Sequence, residues 1–158
     1  MPPLADDLRA SYSSRVAEAL AKATVAAPFP ALLGLQLVEQ GPGHVRCKLE
    51  IGDRHKSGIG LVHGGVLTAM VDHVLSIVVY PHVEIGKWVV TLDLAMNYLA
   101  PVREGEIHAT ADILSMRRRV AVVRIELHNV HAPGGEPDLV AAATGTVYVK
   151  DAPQKLTT

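Results

Sequence analysis

The sequence has little cysteine, few aromatic residues and almost no net charge. Its 158 residues include one cysteine, Cys47, which excludes an internal disulfide and favours a reducing compartment. A formal net charge of -1 provides no basic surface for nucleic acid or for an anionic membrane. The apolar runs look too short and interrupted to span a bilayer, and the first residues lack the order of a signal peptide. We therefore expect a cytoplasmic protein with no nucleic-acid or membrane partner.

Metal-binding patterns are also missing. The eight histidines are scattered, and only His128 and His131 approach the spacing of metal ligands. No cysteine or carboxylate joins these two in a recognisable pattern. We therefore expect no metal site.

The length predicts a single domain, residues 1–158. Residues 1–28 are predicted to form a loose tail up to residue 12 and then a short helix, with Ser13 or Ser14 as its N-cap. The core is expected to span residues 29–150, with a tight turn at 29–34 that plugs one end. Residues 151–158 are expected to form a C-terminal tail.

Six segments have the pattern of β-strands and are separated by turn residues. They are residues 35–40, 44–51, 87–99, 106–117, 120–131 and 139–150. In the second segment the apolar residues alternate with polar ones, which places Cys47 in the core. Because the links are short, the pattern predicts an α+β fold in which an antiparallel sheet of five to six strands wraps around a central helix.

That central helix is predicted over residues 66–80, which are apolar on almost every side. Thr68, Asp72 and Ser76 are spaced four apart and so form one polar stripe. A carboxylate in apolar surroundings needs hydrogen-bond partners or a function. The stripe fits a solvated helix edge equally well, and periodicity does not choose between these interpretations.

Two glycines, Gly64 and Gly65, precede the helix. Glycine allows a ligand to approach the backbone, and first-turn amides lack intrahelical partners, so they can bind a developing oxyanion. Gly65 and Asp72 are seven residues apart, about 10 Å along a helix, which is too far for both to serve one reaction centre within a subunit. Two helices packed antiparallel across a two-fold axis would bring them together, and Thr68 and Ala69 are small enough to allow it. This geometry predicts a homodimer with shared sites.

The run His63-Gly64-Gly65, with Asp72 nine positions after the histidine and the segment 90–101 after the helix, resembles the PaaI-like acyl-CoA thioesterases of the hotdog fold. The likeness extends to Gly105-Glu106 and residues 141–146, and covers most of residues 30–150. It implies a hotdog fold and hydrolysis of an acyl-CoA thioester to coenzyme A and a carboxylic acid. It further implies no cofactor beyond the coenzyme A of the substrate, and homodimers that associate into homotetramers.

The resemblance also assigns catalytic roles. It implies that the Gly65 amide polarises the thioester carbonyl, that Asp72 activates water or attacks directly, and that Thr91 helps to hold the water. Thr91 also fits a purely structural strand position. His63 is expected to position the start of the helix. Ser57 stands where relatives commonly carry asparagine; it is shorter, so either a water fills the gap or turnover is slower.

Substrate contacts are expected from Gly64, from Tyr98 and from the run Arg117, Arg118 and Arg119. Arginine forks match phosphate oxygens, which favours a contact with the phosphates of coenzyme A. A charged run at a hairpin turn also fits solvated surface. Tyr98 is expected to line the substrate tunnel, although aromatic strand residues usually belong to the core.

Two other functions fit the sequence. A hotdog dehydratase or hydratase acting on acyl thioesters would move protons with a histidine and an acid, but the position of Asp72 deep on the helix resembles the thioesterases more closely. A non-catalytic acyl-CoA-binding protein is favoured by Ser57. Aromatic, short-chain and medium-chain acyl groups all remain open.

Overall fold

A six-stranded antiparallel sheet wraps around one long helix in the computed structural model, which describes residues 2–131 and 134–152. The helices are α1 (Pro2–Ser11), α2 (Ser14–Ala26), α3 (Pro28–Leu33) and α4 (Gly64–Ile77). The strands are β1 (Gln36–Gly41), β2 (His44–Glu50), β3 (Lys87–Tyr98), β4 (Glu106–Met116), β5 (Val120–Val130) and β6 (Asp138–Asp151). Each strand lies within one residue of its predicted bounds, and the predicted α+β hotdog architecture is confirmed.

The strand order is β1-β2-β4-β5-β6-β3, so β1 and β3 are the two edges of the sheet. The core lies between the concave face of the sheet and α4, where Met70, Val74 and Leu75 have no exposed surface. Cys47 is fully buried in this core, and burial raises the pKa of its thiol to about 12, which fits a packing role.

A glycine sets the distance between the sheet and α4. Gly145 lies on β6 directly under Leu75, and a Cβ atom at this position would lie 2.5 Å from Leu75 Cδ2. Ordinary carbon–carbon contacts are about 3.5–4.0 Å. The absence of a side chain therefore allows α4 to pack close to the sheet.

The apolar segment around α4 is longer than the sequence interpretation allowed. Gly64–His82 spans 19 residues, and its most apolar window has a mean hydropathy of 1.4. By length and composition alone it is long and apolar enough for a membrane span, contrary to the expectation that no apolar run is. Of its most apolar window, 56% is buried inside the structure. The sheet covers its apolar surface, as in the core helix of a globular domain.

The N-terminal tail prediction is wrong for the described residues before 12, because Pro2–Ser11 form α1. Tertiary contacts stabilise this helix: Leu8 is buried beside Gly43, and Ser11 Oγ lies 2.9 Å from His82 Nδ1. Helix α2 begins as predicted, with Ser13 Oγ accepting a hydrogen bond from Val16 N–H.

Residues 29–33 belong to the short helix α3 instead of forming the predicted tight turn; the helix has proline at its first position and is capped by Gly34 with a φ of 79°. The segment does cover part of the core, because Pro30 is buried and Leu33 packs against the core. Phe29 and Leu32 are 57% and 65% exposed and do not contribute to it within this chain. At the other end β6 includes Asp151, and most of the predicted C-terminal tail, residues 153–158, lies outside the described residues.

Candidate active site

Asp72 of α4 and Thr91 of β3 form a hydrogen-bonded pair. Thr91 Oγ1 donates to Asp72 Oδ1 at 2.7 Å. No other side chain or backbone group in the described residues hydrogen-bonds to this carboxylate. Asp72 lies on the exposed edge of α4 in the single chain, so the polar stripe does follow a solvated edge. The carboxylate is oriented by one hydroxyl and keeps acceptor sites for a water molecule.

A β-bulge at Leu92 directs both predicted β3 residues toward α4. The register between β3 and β6 shifts between Thr91 and Asp93, so Leu92 is the extra residue. On a regular strand, residues seven apart point to opposite faces of the sheet. The bulge reverses the alternation after Thr91, and both Thr91 and Tyr98 reach side chains on α4. No glycine or proline marks this bulge in the sequence.

The start of α4 is capped by His63. Its Nδ1 accepts a hydrogen bond from Gly65 N–H at 2.9 Å, which assigns the ring proton of the neutral imidazole to Nε2. The Gly65 amide, assigned by resemblance to the thioester carbonyl, is therefore occupied in this state. Within the described part of the chain, no acceptor is hydrogen-bonded to Gly64 N–H. The available amide at the helix start is that of Gly64.

Two side chains hold the carbonyl of Gly64. Thr68 Oγ1 donates to Gly64 O at 3.1 Å, and Tyr98 OH lies 2.6 Å from Thr68 Oγ1 and 3.3 Å from Gly64 O. Beside these residues lies a cavity of about 330 Å³. Its walls include Gly64, Tyr98, Leu61, Leu67 and the segment 99–102. Tyr98 thus contacts the helix start and lines the adjacent cavity.

Ser57 closes the loop that precedes α4. Its Oγ donates to Leu61 O at 3.0 Å, and its N–H donates to the same carbonyl at 2.7 Å. In this state the hydroxyl proton is therefore used by the loop itself. Ser57 therefore offers no free hydroxyl proton to a substrate or a water molecule in this state.

The buried histidine His55 fixes the conformation of this loop, although the sequence predicts no role for it. His55 is 2% exposed, its Nδ1 accepts from Gly52 N–H at 2.9 Å, and its Nε2 donates to Leu33 O at 2.9 Å. Its backbone carbonyl accepts from His63 N–H at 2.8 Å. His55 thus connects α3, the loop and the helix start, although a single histidine in a polar loop gives no sequence signal of this role.

The histidines near Asp72 point elsewhere within the chain. His73 Nε2 lies 3.3 Å from Thr24 Oγ1 on α2, and burial lowers the pKa of His73 although the neighbouring Asp72 opposes this shift. His63 caps α4. In the described residues no histidine is hydrogen-bonded to Asp72, and no group of three or more His, Cys, Asp or Glu side chains is arranged to hold a metal ion.

The three arginines lie at the opposite end of α4 from Gly64. They form the turn between β4 and β5 and line a cleft of about 650 Å³, together with His82, Lys87 and Asp151. Arg119 Nη1 donates to Tyr148 OH at 2.9 Å, whereas Arg117 and Arg118 have no ion pair among the described residues. Helix α4 has 14 residues, about 21 Å. Within one chain the arginines and Gly64 are therefore not brought together.

Comparison with known proteins identifies relatives that match this architecture. The family model described as thioesterase superfamily matches residues 59–134. Acyl-coenzyme A thioesterase 13 of Homo sapiens is 30% identical over 121 residues, which span 75% of this chain and 86% of that protein.

Two solved structures superpose on most of the chain. A thioesterase from Haemophilus influenzae has a TM-score of 0.77 at 25% identity and covers 88% of this chain and 93% of its own. The phenylacetic acid degradation protein PaaI from Thermus thermophilus has a TM-score of 0.66 at 30% identity and covers 77% of this chain and 97% of its own.

Proposed function

Because the chain belongs to the thioesterase superfamily, in its PaaI-like hotdog branch, and hydrolyses acyl-CoA thioesters, we propose that each active site is assembled from two copies of it. One copy contributes Gly64 at the start of α4, and the other contributes Asp72 with Thr91. The observation that carries this proposal is the Thr91–Asp72 hydrogen bond on an exposed helix face, eight residues from the available Gly64 amide. Eight residues correspond to about 12 Å along a helix, too far for both groups to reach one thioester carbon.

The edge strand β3 supports pairing between copies. It is 12 residues long, its outer edge faces no other strand among the described residues, and Leu92 on it is 61% exposed. A long exposed edge strand is a template for pairing with another chain. Two β3 strands paired antiparallel across a two-fold axis would set the two α4 helices side by side and antiparallel. Thr68 and Ala69, both on the partly exposed face of α4, would then lie near the axis.

The reaction follows from this arrangement. The thioester oxygen accepts a hydrogen bond from Gly64 N–H and receives the developing negative charge at the positive end of the helix dipole. The Asp72 carboxylate of the other copy, held by Thr91, removes a proton from water as the water oxygen bonds to the carbonyl carbon. The tetrahedral intermediate then collapses, the C–S bond breaks, and coenzyme A leaves as a thiolate that takes up a proton.

Direct attack by Asp72 on the thioester carbon is the alternative route, through an anhydride with the enzyme. A single turnover in ¹⁸O-labelled water separates the two routes. General-base catalysis places the label in the released acid in the first turnover. An anhydride that water opens at the Asp72 carbonyl instead releases an acid with an unlabelled Asp72 oxygen and leaves the label on Asp72.

This proposal and the family resemblance differ in the glycine whose N–H donates to the thioester oxygen. The resemblance assigns the carbonyl contact to Gly65, but its N–H is bound by His63 Nδ1, so we assign this contact to Gly64. The arrangement of histidines also favours hydrolysis over dehydration, because within one chain neither His63 nor His73 pairs with Asp72 to move protons.

The cleft with the arginines is the proposed site for the phosphates of coenzyme A. In antiparallel helices, the C-terminal end of α4 in the copy that supplies Asp72 lies on the same side as the other copy's Gly64. Arg117 and Arg118 then face the substrate's phosphates without a competing ion pair in the described residues. We also propose a cytoplasmic location, association of dimers into tetramers, and no cofactor beyond the substrate's own coenzyme A.

Mixing two inactive variants tests the shared site. Asp72→Asn removes the base, and Gly64→Pro removes the N–H donor at the first helical position, where proline is tolerated. His63 already has the extended backbone, φ −67° and ψ 132°, that a residue before proline prefers. Each variant alone should release little free coenzyme A thiol from a panel of aromatic and aliphatic acyl-CoAs.

Subunit exchange between the two variants produces mixed dimers in which one site has both Gly64 and Asp72 intact. Equal mixing should restore about a quarter of the native rate, since half of the dimers are mixed and each has one working site of two. If Gly64 and Asp72 act within one chain, no mixed dimer contains an intact site. Activity that stays at the level of the separate variants after confirmed exchange would therefore refute the shared site.

A further inference from the structure

The peptide group between Gly64 and Gly65 is held at both of its ends. Its N–H donates to His63 Nδ1 at 2.9 Å. Its carbonyl oxygen accepts from Thr68 Oγ1 at 3.1 Å, and the Tyr98 hydroxyl lies 3.3 Å from the same oxygen. The Tyr98 ring also packs on the backbone, because a Cβ atom on Gly64 would lie 3.4 Å from it.

Such restraint matters because the segment consists of two glycines. Glycine has the widest choice of backbone conformations, so a glycine pair does not by itself define the direction of an N–H group. A catalytic hydrogen-bond donor must be held within about 0.5 Å and 10–20° of its productive geometry. The preceding plane, which carries Gly64 N–H, shares only Gly64 Cα with this one, and its own carbonyl, His63 O, accepts from Val66 N–H at 2.9 Å. Restraint of both planes fixes the φ and ψ of Gly64, and with them the direction of its N–H group.

The Thr68 and Tyr98 hydroxyls each have one proton, so two arrangements satisfy their contacts. In one, Tyr98 donates to Thr68 Oγ1 and Thr68 donates to Gly64 O; in the other, Thr68 donates to Tyr98 OH and Tyr98 donates to Gly64 O. Both arrangements form a relay of two hydrogen bonds that ends on Gly64 O, and successive hydrogen bonds of this kind strengthen one another.

We propose that Thr68 and Tyr98 are positioning residues that aim Gly64 N–H at the thioester oxygen. This inference rests on the proposed function, because Gly64 must be the carbonyl donor for the relay to affect the reaction. Thr68 does not line the adjacent cavity, so within the site it acts through the peptide group, and because it also lies near the proposed two-fold axis the test uses variants of matched association state. Tyr98 also lines the adjacent cavity of about 330 Å³, so its hydroxyl is tested separately from its ring.

The test compares Thr68→Val and Tyr98→Phe with the native protein. Each removes one hydroxyl and keeps the shape of the side chain. We expect kcat to fall about tenfold for each, corresponding to about 1.4 kcal/mol and so to one hydrogen bond, with KM changed less than twofold. The double variant should lose little more than either single variant, because both changes interrupt the same relay. Thr68→Ser keeps the hydroxyl and should restore most of the rate.

A vibrational measurement separates positioning from general structural damage. In the Asp72→Asn background, a ¹³C-labelled thioester bound to the protein should show a carbonyl stretch shifted to lower frequency by its hydrogen bond. Adding Thr68→Val should return the frequency part of the way to its value in water. The matched controls are Tyr80→Phe and Thr144→Val, which remove hydroxyls outside the proposed site and should change neither kcat nor the frequency.

The outcomes distinguish this inference from the proposed function. Native kcat and an unchanged carbonyl frequency in Thr68→Val and Tyr98→Phe would overturn the positioning role while leaving hydrolysis intact. A native protein that binds acyl-CoAs but releases no thiol would refute the proposed function. The carbonyl frequency needs no turnover, so it still decides whether the relay polarises the bound thioester.

Discussion

Adding one methyl group at Gly145 should loosen the packing of α4 on the sheet and reduce activity at a distance. The new Cβ of Gly145→Ala would lie 2.5 Å from Leu75 Cδ2 and 2.9 Å from Cδ1, where ordinary contacts are about 3.5–4.0 Å. Leu75 has no exposed surface, so it cannot swing into solvent. Leu75 must therefore adopt a strained rotamer, or the helix must move away from the sheet by up to about 1 Å.

The expected change in the free energy of unfolding is the sum of two opposing effects. Overpacking a core typically costs about 1–3 kcal/mol. Replacing glycine by alanine recovers about 0.4–1 kcal/mol by restricting the unfolded chain. We therefore expect Gly145→Ala to lower the free energy of unfolding by about 1–2 kcal/mol. Because Asp72 lies one turn before Leu75, the same displacement should stretch the Thr91–Asp72 hydrogen bond of 2.7 Å and lower kcat.

Urea unfolding, monitored by circular dichroism, measures the loss of stability in Gly145→Ala. All variants are compared at one fixed subunit concentration, because association between subunits contributes to stability. Gly41→Ala is the matched control, since Gly41 also lies on a strand but has no atom within 4 Å of the position that the new methyl group would take. Leu75→Ala alone should cost about 2–5 kcal/mol by leaving a cavity. In that background, Gly145→Ala should be neutral or stabilising, because the methyl group enters the cavity. A Gly145→Ala protein with the native unfolding midpoint and native kcat would refute this reasoning.

Two further predictions concern the site and the histidines. Thr91→Val should lower kcat about 10- to 100-fold, since a hydrogen bond to a charged group contributes about 1.5–3 kcal/mol. The control variant Thr144→Val, at an exposed position, should keep the native kcat. Equal kcat values in the two variants would contradict the pairing of Thr91 with Asp72. Burial lowers the pKa of His82, so the unfolded chain takes up a proton first as pH falls below 6.5, and stability should decrease between pH 7.5 and 5.5. Burial also lowers the pKa of His73, so His82→Gln should reduce this dependence in unfolding experiments without abolishing it. The exposed His131→Gln should leave the dependence unchanged, and an unchanged dependence in His82→Gln would exclude a contribution from His82.

The strands and the central helix were predictable because their signals are local. Alternation with a period of two depends only on one face of a strand being buried, and together with the turn residues it predicted the bounds of all six strands to within one residue. The mostly apolar segment with glycines at its start likewise indicated a core helix. Asp72, the helix start and the two β3 positions were predictable as candidates from the same pattern and from the family resemblance.

Other features required the folded chain. Helix α1 has a weakly apolar sequence and is stabilised by the packing of Leu8 against Gly43. Gly43 lies in a different part of the chain. The extra residue at Leu92 leaves no sequence signal, yet it turns Thr91 and Tyr98 to the same side. Local patterns cannot report either feature, because both depend on register and packing between distant segments.

The sequence by itself determined which residues are available for chemistry: the glycine pair, a carboxylate on a polar stripe of an apolar helix, and a run of arginines. Only the tertiary structure decided which amide is available, because His63 folds back on Gly65 while Thr68 and Tyr98 hold Gly64. The physical reason is that hydrogen-bond partners are selected by three-dimensional proximity. The periodicity of a chain shows which side of an element faces the core, but not which donor is already satisfied.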